Sequence, residues 1–283
     1  MGLIVGILTG FFISLQNTCA RKLSAFDTFA LNGSRFAASA VILAVAVSIF
    51  SSWHIPPLAF FVILFITLPI DILISFCYIK AFQLSPQSLV GPLFSLTAIF
   101  LLPLDFFVFG YVPSILGLIG VMVGLLGSFF LGWDIHRPGE LITSFRVIFR
   151  EKGTYYMLVA TVASAAGVIL AKFSFSYAPP MVSGFYMLAA LTLFYLPSFL
   201  RHLKASGKEW KNLSVLGVVH GFSNIFHYFG LSLMPAAYFI SLKRSAILFD
   251  VFFGKFIQHE THFGGRLLGA SLMLIGIILI AVA

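Results

Sequence analysis

The stretch LAFFVILFITLPIDILISFCYIKAF, residues 58–82, decides the fold class, because Asp71 and Lys80 are the only charged side chains in it. An α-helix needs about 20 mainly apolar residues to cross roughly 30 Å of hydrocarbon, and this stretch supplies them. Comparable apolar stretches recur along the whole chain. Together they predict ten membrane-spanning helices, at 2–20, 28–50, 58–82, 87–109, 113–133, 154–175, 180–200, 213–233, 236–257 and 263–283.

The composition also indicates a membrane protein. Hydrophobic residues make up 60% of the 283 residues and charged residues only 9%, whereas a soluble domain carries about 25% charged residues. Most of the surface therefore faces something other than water. The formal net charge of +8 predicts basic cytoplasmic loops rather than a nucleic-acid site. No sequence pattern indicates a cofactor or a metal.

The basic residues predict how the helices are oriented. With ten spans, both termini and the connections after even-numbered helices share one face. Leaving aside Lys243 and Arg244, which lie within helix 9, that face receives only Lys172, and the other Lys and Arg residues fall on the opposite face. Since cytoplasmic loops are enriched in Lys and Arg, we expect a multi-pass protein of the cell (inner) membrane with both termini outside the cytoplasm.

The two halves of the chain look related. Tyr78 and the LSP tripeptide at 84–86 resemble Tyr228 and the LMP tripeptide at 233–235, about 150 residues later. Because a five-helix unit is odd-numbered, its copy enters the membrane with opposite orientation, and inverted repeats hold substrate sites near the membrane midplane. The predicted parts are a first repeat at 1–133, a connecting loop with a short surface helix at 134–153, and a second repeat at 154–283.

These repeats predict an all-α bundle around a central cavity. We expect helices 1, 3, 4, 6, 8 and 9 to line that cavity. Helices 5 and 10 are rich in glycine, which lets helix backbones approach closely. They are therefore expected to act as a scaffold or as the contact of a homodimer.

A family resemblance is clearest in YFGLSLMPAAYFISLKRSAILFDVFFGKFIQHETHFGGRLLGASLMLIGIILI, residues 228–280. It resembles the closing part of EamA-type transporters, ten-helix members of the drug/metabolite transporter (DMT) superfamily. The shared pattern is a ninth helix that begins after Pro235, an acidic position at Glu260, and a glycine-rich tenth helix. In the first half, Tyr111 stands where these proteins often have a glutamate. The resemblance implies a non-enzymatic exporter or exchanger of small metabolites.

Lys243 and Arg244 are the strongest candidate substrate ligands. A charged side chain at membrane depth costs at least about 2.5–3.5 kcal/mol, and two adjacent cations repel, so the pair needs an anionic ligand or a carboxylate. Arginine offers a planar fork for such a group, and lysine a compact charge. The pair also resembles the anion-binding pair of sugar-phosphate translocators. Alternatively, Arg244 caps backbone carbonyls or bridges Asp250 across the bundle.

Other polar residues within predicted helices are candidates for substrate binding or proton coupling. His220, Asn224 and His227 share one helical face by their spacing, and histidine titrates near neutral pH. Asp71 is either a charge partner of the Lys-Arg pair or a proton-coupling site, and Asp250 is a second candidate for this role. The remaining predicted substrate ligands are Asn17 and Tyr228. A metal site is not expected, because no third ligand accompanies the histidines.

Two other functions remain open from the sequence. A flippase for an anionic lipid carrier would keep the same bundle but open laterally to the bilayer. A membrane-embedded enzyme would need paired catalytic groups near a membrane surface, and the nearest such cluster is 134–137, DIHR. Because charges are usual in a loop, we expect a transporter rather than an enzyme.

Overall fold

The computed structural model describes residues 1–84 apart from 22, 24 and 25, together with 93–131, 152–202, 210–249, 253 and 264–283. Within these ranges the chain forms ten α-helices and no β-strand, which confirms the all-α, ten-helix prediction. The helices are α1 Gly2–Arg21, α2 Thr28–Phe50, α3 Leu58–Leu84, α4 Thr97–Phe109, α5 Ile115–Leu131, α6 Lys152–Ser174, α7 Pro180–His202, α8 Trp210–Leu233, α9 Ala236–Lys243 and α10 Gly264–Val282.

Two helices differ from the predicted bounds. Helix α4 begins at Thr97 rather than at 87, after a separate helical turn at 93–95. Helix α9 ends at Lys243 rather than at 257, and a short helical segment follows at 246–249. The predicted surface helix within 134–153 lies outside the described residues, except for the first residues of α6.

The backbone hydrogen bonds change their spacing at the interruption after α9. The amide of Ser245 donates to the carbonyl of Leu242 at 3.0 Å, and the amide of Ile247 donates to that of Arg244 at 2.9 Å. These bonds span three residues rather than four, which is the pattern of a tighter 3₁₀ turn. Lys243 and Arg244 therefore lie at a break in the helix, not in a regular helix interior.

The helix surfaces suit a lipid environment. Five described helices are long and apolar enough to cross a membrane, and three apolar segments of 10–17 residues accompany them. Large apolar side chains on the outside of these helices are exposed. Phe65 is 78% exposed, Phe107 79% and Ile115 80%. Such side chains are favourable against lipid tails and unfavourable against water.

The chain contacts divide the protein into two compact units. The first unit holds Met1–Pro69 and Leu170–Met234, and the second holds Ile70–Ile169 and Pro235–Ala283. In the first, α2 packs against α7 and α8, and α1 packs against α8. In the second, α5 packs against α10 and α4 packs against α9. One boundary lies inside α3 directly after Pro69, which removes a helical hydrogen bond.

Glycines allow the close approach of α5 and α10 in the second unit. A Cβ added to Gly276 would lie 2.6 Å from the backbone nitrogen of Gly124, and one added to Gly127 would lie 2.6 Å from that of Met273. Real Cβ atoms do not come this close to a backbone. The packing of these two helices therefore requires glycine at both positions.

Candidate functional site

Arg244 is anchored to the turn that precedes α4. Its Nη2 donates to the carbonyl of Phe94 at 2.8 Å, and its guanidinium carbon lies 4.4 Å from the centre of the Phe94 ring. The same carbonyl accepts the Thr97 hydroxyl at 2.6 Å, and the Phe94 ring meets the Tyr78 ring at 5.0 Å. The guanidinium of Arg244 is thus held in place by the backbone carbonyl and the ring face of Phe94.

Three polar residues in the second unit, Ser95, Ser241 and Arg244, line one small cavity. The Nε of Arg244 and the hydroxyl oxygens of the two serines are buried, and none of these atoms makes a hydrogen bond within the described part of the chain. The space beside them measures about 10 Å³, which is about the volume of one water-sized sphere.

Glycines and apolar side chains form the rest of this cavity. A Cβ added to Gly124 would meet no atom within 4 Å, so the cavity extends along this part of α5. Because buried polar groups are normally hydrogen-bonded, three such groups around one space indicate a place for a polar ligand or water. The other lining residues are Ala98, Gly120, Val121, Leu125, Met273, Gly276, Ile277 and Ile280.

The predicted carboxylate partners do not pair with Arg244 in the described residues. Asp71 lies half-buried on α3 with its Oδ1 facing α6, where a Cβ added to Gly167 would be 3.2 Å away. No described cation lies within ion-pair distance of Asp71. Asp250, the other predicted partner, and Glu260 lie outside the described residues. Lys243 is half-buried at the end of α9.

His220 belongs to a hydrogen-bonded cluster in the first unit. Its Nδ1 lies 2.6 Å from the Ser39 hydroxyl, which donates to the carbonyl of Arg35 at 2.6 Å. Which of the two atoms donates in the contact between Nδ1 and Ser39 depends on the tautomer of His220. Asn224 donates to the carbonyl of His220 at 2.8 Å, and the Phe36 ring packs at 5.5 Å. His220 and Asn224, which the spacing placed on one helix face, are therefore in contact.

The other predicted ligands of the first unit have different surroundings. His227 packs against the ring of Tyr228 at a centroid distance of 5.3 Å. Tyr228 is buried against α7, where a Cβ added to Gly184 would lie 2.5 Å from its ring. It also lines a mainly apolar cavity with Thr67 and eight other residues. Asn17 lies half-buried on α1.

Asp105 is a buried acidic residue that the sequence reasoning missed. It is 1% exposed, and its Oδ2 accepts the backbone N–H of Ala237 at 2.8 Å, at the start of α9. A carboxylate is favourable at a helix N-terminus, where N–H groups lack partners inside the helix. The sequence contains a pattern that could have identified it, because Asp105 follows Pro103 by two residues within an apolar stretch, as Asp71 follows Pro69.

Replacing Asp105 with alanine is expected to lower the free energy of unfolding by about 1–3 kcal/mol, the cost of leaving a buried donor unpaired. Asp27→Ala is the matched control, because the Oδ2 of Asp27 accepts the amide of Ala30 at 2.9 Å in an exposed position. Water can replace that exposed partner, so its loss should be smaller. Thermal unfolding of the purified variants measures both, and an equal or smaller loss for Asp105→Ala would contradict the assignment.

Tyr111 and Tyr238 form an aromatic pair beside Asp105. Their rings are nearly perpendicular with centroids 5.7 Å apart, and the Tyr238 hydroxyl accepts the amide of Ser114 at 3.2 Å. The Tyr238 ring also fills the space over Gly117, where a Cβ would collide with it. Burial, with the hydrogen bond to Tyr238, raises the pKa of Tyr111 to about 12. A tyrosine is already neutral at physiological pH, so this position carries no charge, unlike a glutamate in the same place.

Comparisons with known proteins give a family and a fold. The family model described as the EamA-like transporter family matches residues 1–133 and 151–282. A solved structure, titled only "Crystal structure of protein", is similar over 99% of this chain and 96% of that chain, with 16% sequence identity and a TM-score of 0.78. No curated protein matches the chain. In the described residues, no group of three His, Cys, Asp or Glu could hold a metal ion.

Proposed function

The chain belongs to the EamA-like transporter family, and from this membership we propose that it carries a small anionic or zwitterionic metabolite by alternating access. A multi-pass membrane transporter follows from the family and from the apolar helices. The substrate charge is our inference from the side chains of the second unit. Export and exchange are both compatible with it.

The main support for an anionic group is Arg244 at the break after α9. Its Nη2 is held by the Phe94 carbonyl, and its side chain lines the small cavity. Its buried Nε has no hydrogen-bond partner among the described residues. No described carboxylate neutralises it. An anionic group of the substrate would supply the missing charge, and the adjacent Lys243 would add to the attraction. Transporter sites are often built at such helix interruptions.

Helix packing within the units supports a duplicated five-helix architecture. Helices α2 and α7, α4 and α9, and α5 and α10 pack in pairs, and each pair joins helices five positions apart. A two-fold relation between repeats brings equivalent helices together near its axis. The family match is also interrupted between 133 and 151, close to the proposed connecting loop. We therefore keep the inverted repeat as part of the proposal. The distribution of Lys and Arg residues supports the further proposal that both termini lie outside the cytoplasm.

The remaining polar groups are assigned to substrate hydrogen bonds or proton transfer. In the first unit, His220 and Asn224 form a fixed pair beside the buried Ser39. In the second unit, Asp71 lies in a span without an ion-pair partner among the described residues. A carboxylate in that position is suited to bind and release a proton. His227, Tyr228 and Asn17 are additional proposed ligands.

A ligand panel tests the proposed function. The purified protein is heated with amino acids, small carboxylates, sugar phosphates, nucleotides and neutral sugars, and the stabilising compounds are then used for counterflow in proteoliposomes. A ligand at 100 times its dissociation constant stabilises the folded state by about 2.7 kcal/mol. We expect stabilisation and counterflow for compounds with a negative group only. Counterflow of neutral compounds alone, or lipid flipping without solute counterflow, would contradict the proposal.

A further inference from the structure

We propose that the negative group of the transported metabolite is a carboxylate, and that Ser95 and Ser241 donate hydrogen bonds to it beside Arg244. This inference rests on the proposed function, and it names the substrate class and two further specificity-determining residues. It follows from the number of donors, the charge and the space in the cavity of the second unit.

The donors come from two separate segments of the chain. Ser241 and Arg244 are three residues apart at the end of α9, so they lie on the same side of the helix. Ser95 belongs to the turn before α4 and is 2% exposed. Its neighbour Phe94 holds the guanidinium through its backbone carbonyl. The contact that orients Arg244 thus also places Ser95 at the same cavity.

The number of free donors matches a carboxylate. Among the residues that line the cavity, the buried donors without described partners are the Nε–H of Arg244 and the two serine hydroxyls. An ionised carboxylate accepts through two oxygens with about four lone-pair sites. A phosphate monoester carries a charge of about −1.5 to −2 at pH 7 and three strong acceptor oxygens. Its charge exceeds the single positive charge that Arg244 brings to the lining of this cavity.

The space also favours a small planar group. The cavity measures only about 10 Å³, and its open side runs along Gly124, where an added Cβ would meet nothing within 4 Å. A carboxylate has three heavy atoms in a plane, so the cavity, which has room for about one water-sized sphere, must widen to admit it. A tetrahedral phosphate group needs a larger widening, against the closely packed backbones of α5 and α10.

Serine substitutions test the two added ligands, with a control from the same chain. Ser245 is also 2% exposed, its hydroxyl also lacks a described hydrogen bond, and it follows Arg244 directly. It does not line the cavity. Ser95→Ala, Ser241→Ala and Ser245→Ala therefore remove the same atom from three buried sites, two of which touch the proposed carboxylate position.

The experiment measures thermal stabilisation of the full-length protein by acetate, lactate, alanine, inorganic phosphate and glycerol 3-phosphate. We expect at least one carboxylate probe to stabilise the wild type, and neither phosphate probe to do so. Because a hydrogen bond to a charged group is a strong one, each cavity serine substitution should raise the half-saturating carboxylate concentration about tenfold. Ser245→Ala should leave it within about twofold.

The outcomes separate this inference from the proposed function. If the phosphate probes stabilise the protein and the carboxylates do not, the carboxylate assignment is wrong while an anion carrier remains. If no anion stabilises the protein or is transported, the proposed function itself fails. Wild-type carboxylate affinity in both cavity variants would overturn the roles of Ser95 and Ser241. Should one single variant not fold, the other still decides between these results.

Discussion

Arg244→Gln is expected to reduce transport in proteoliposomes about 30-fold or more while the protein remains folded. Truncating one side of a buried, charge-assisted contact costs about 2–5 kcal/mol, and each 1.4 kcal/mol is a factor of ten. Glutamine keeps an amide donor for the Phe94 carbonyl, which Arg244 contacts at 2.8 Å. The substitution therefore removes the charge with less damage to the turn before α4 than alanine would cause. Initial uptake or exchange rates measure the effect.

Three further variants make this result specific. Arg201→Gln is the matched control, since Arg201 is exposed at the end of α7 and its loss should leave transport near the wild-type rate. Arg244→Lys keeps the charge but not the planar fork, so it should retain only a small part of the activity. A Lys243→Ala, Arg244→Ala double variant with wild-type rates would refute the assignment of the pair as substrate ligands.

Gly276→Val is expected to prevent stable folding. Its Cβ would lie 2.6 Å from the backbone nitrogen of Gly124 and 2.7 Å from the carbonyl oxygen of Gly120. Backbone atoms cannot rotate away as a flexible side chain can, so α5 and α10 would have to separate. Overpacking a core costs about 1–3 kcal/mol or more, and separating two helices also exposes their other contacts. The yield of monodisperse protein and its thermal unfolding report this loss.

Gly124→Ala provides the control for this packing argument. Gly124 lies on α5 in the same seam, but an added Cβ meets nothing within 4 Å. The alanine variant should therefore fold with nearly the wild-type thermal stability, helped by the better helix propensity of alanine. Gly127→Ala, whose Cβ would lie 2.6 Å from the Met273 nitrogen, should resemble Gly276→Val in a milder form. Equal stability of all three variants would show that the two helices are not closely packed.

The helices were predictable because the membrane imposes a simple rule on length and polarity. Apolar stretches predict most helix ends within a few residues, and ten described helices match the ten predicted ones. The rule fails where an apolar stretch changes its backbone hydrogen bonding. Hydropathy at 236–257 does not reveal the turn at Arg244 and Ser245, because the residues there remain suitable for a regular helix.

The site was predictable only where its members are close in sequence. The spacing of His220 and Asn224 indicates a shared helix face, and the structure joins them by a hydrogen bond. Ser39, which contacts His220 at 2.6 Å, comes from a distant helix and has no sequence signal. Phe94 and Ser95 likewise are far from Arg244 in sequence, and no sequence pattern links them to it. Partners of this type depend on how helices pack, and periodicity contains no information on that.

The Tyr238 ring over Gly117 links the evolutionary histories of two distant positions. A larger residue at 117 would occupy the space that the tyrosine ring fills, so it becomes tolerable only after the ring has been replaced by something smaller. The order of substitutions is therefore constrained: the change at 238 has to come first. Homologous chains that lack glycine at 117 should carry a smaller side chain at 238, and the residues at the two positions should vary together.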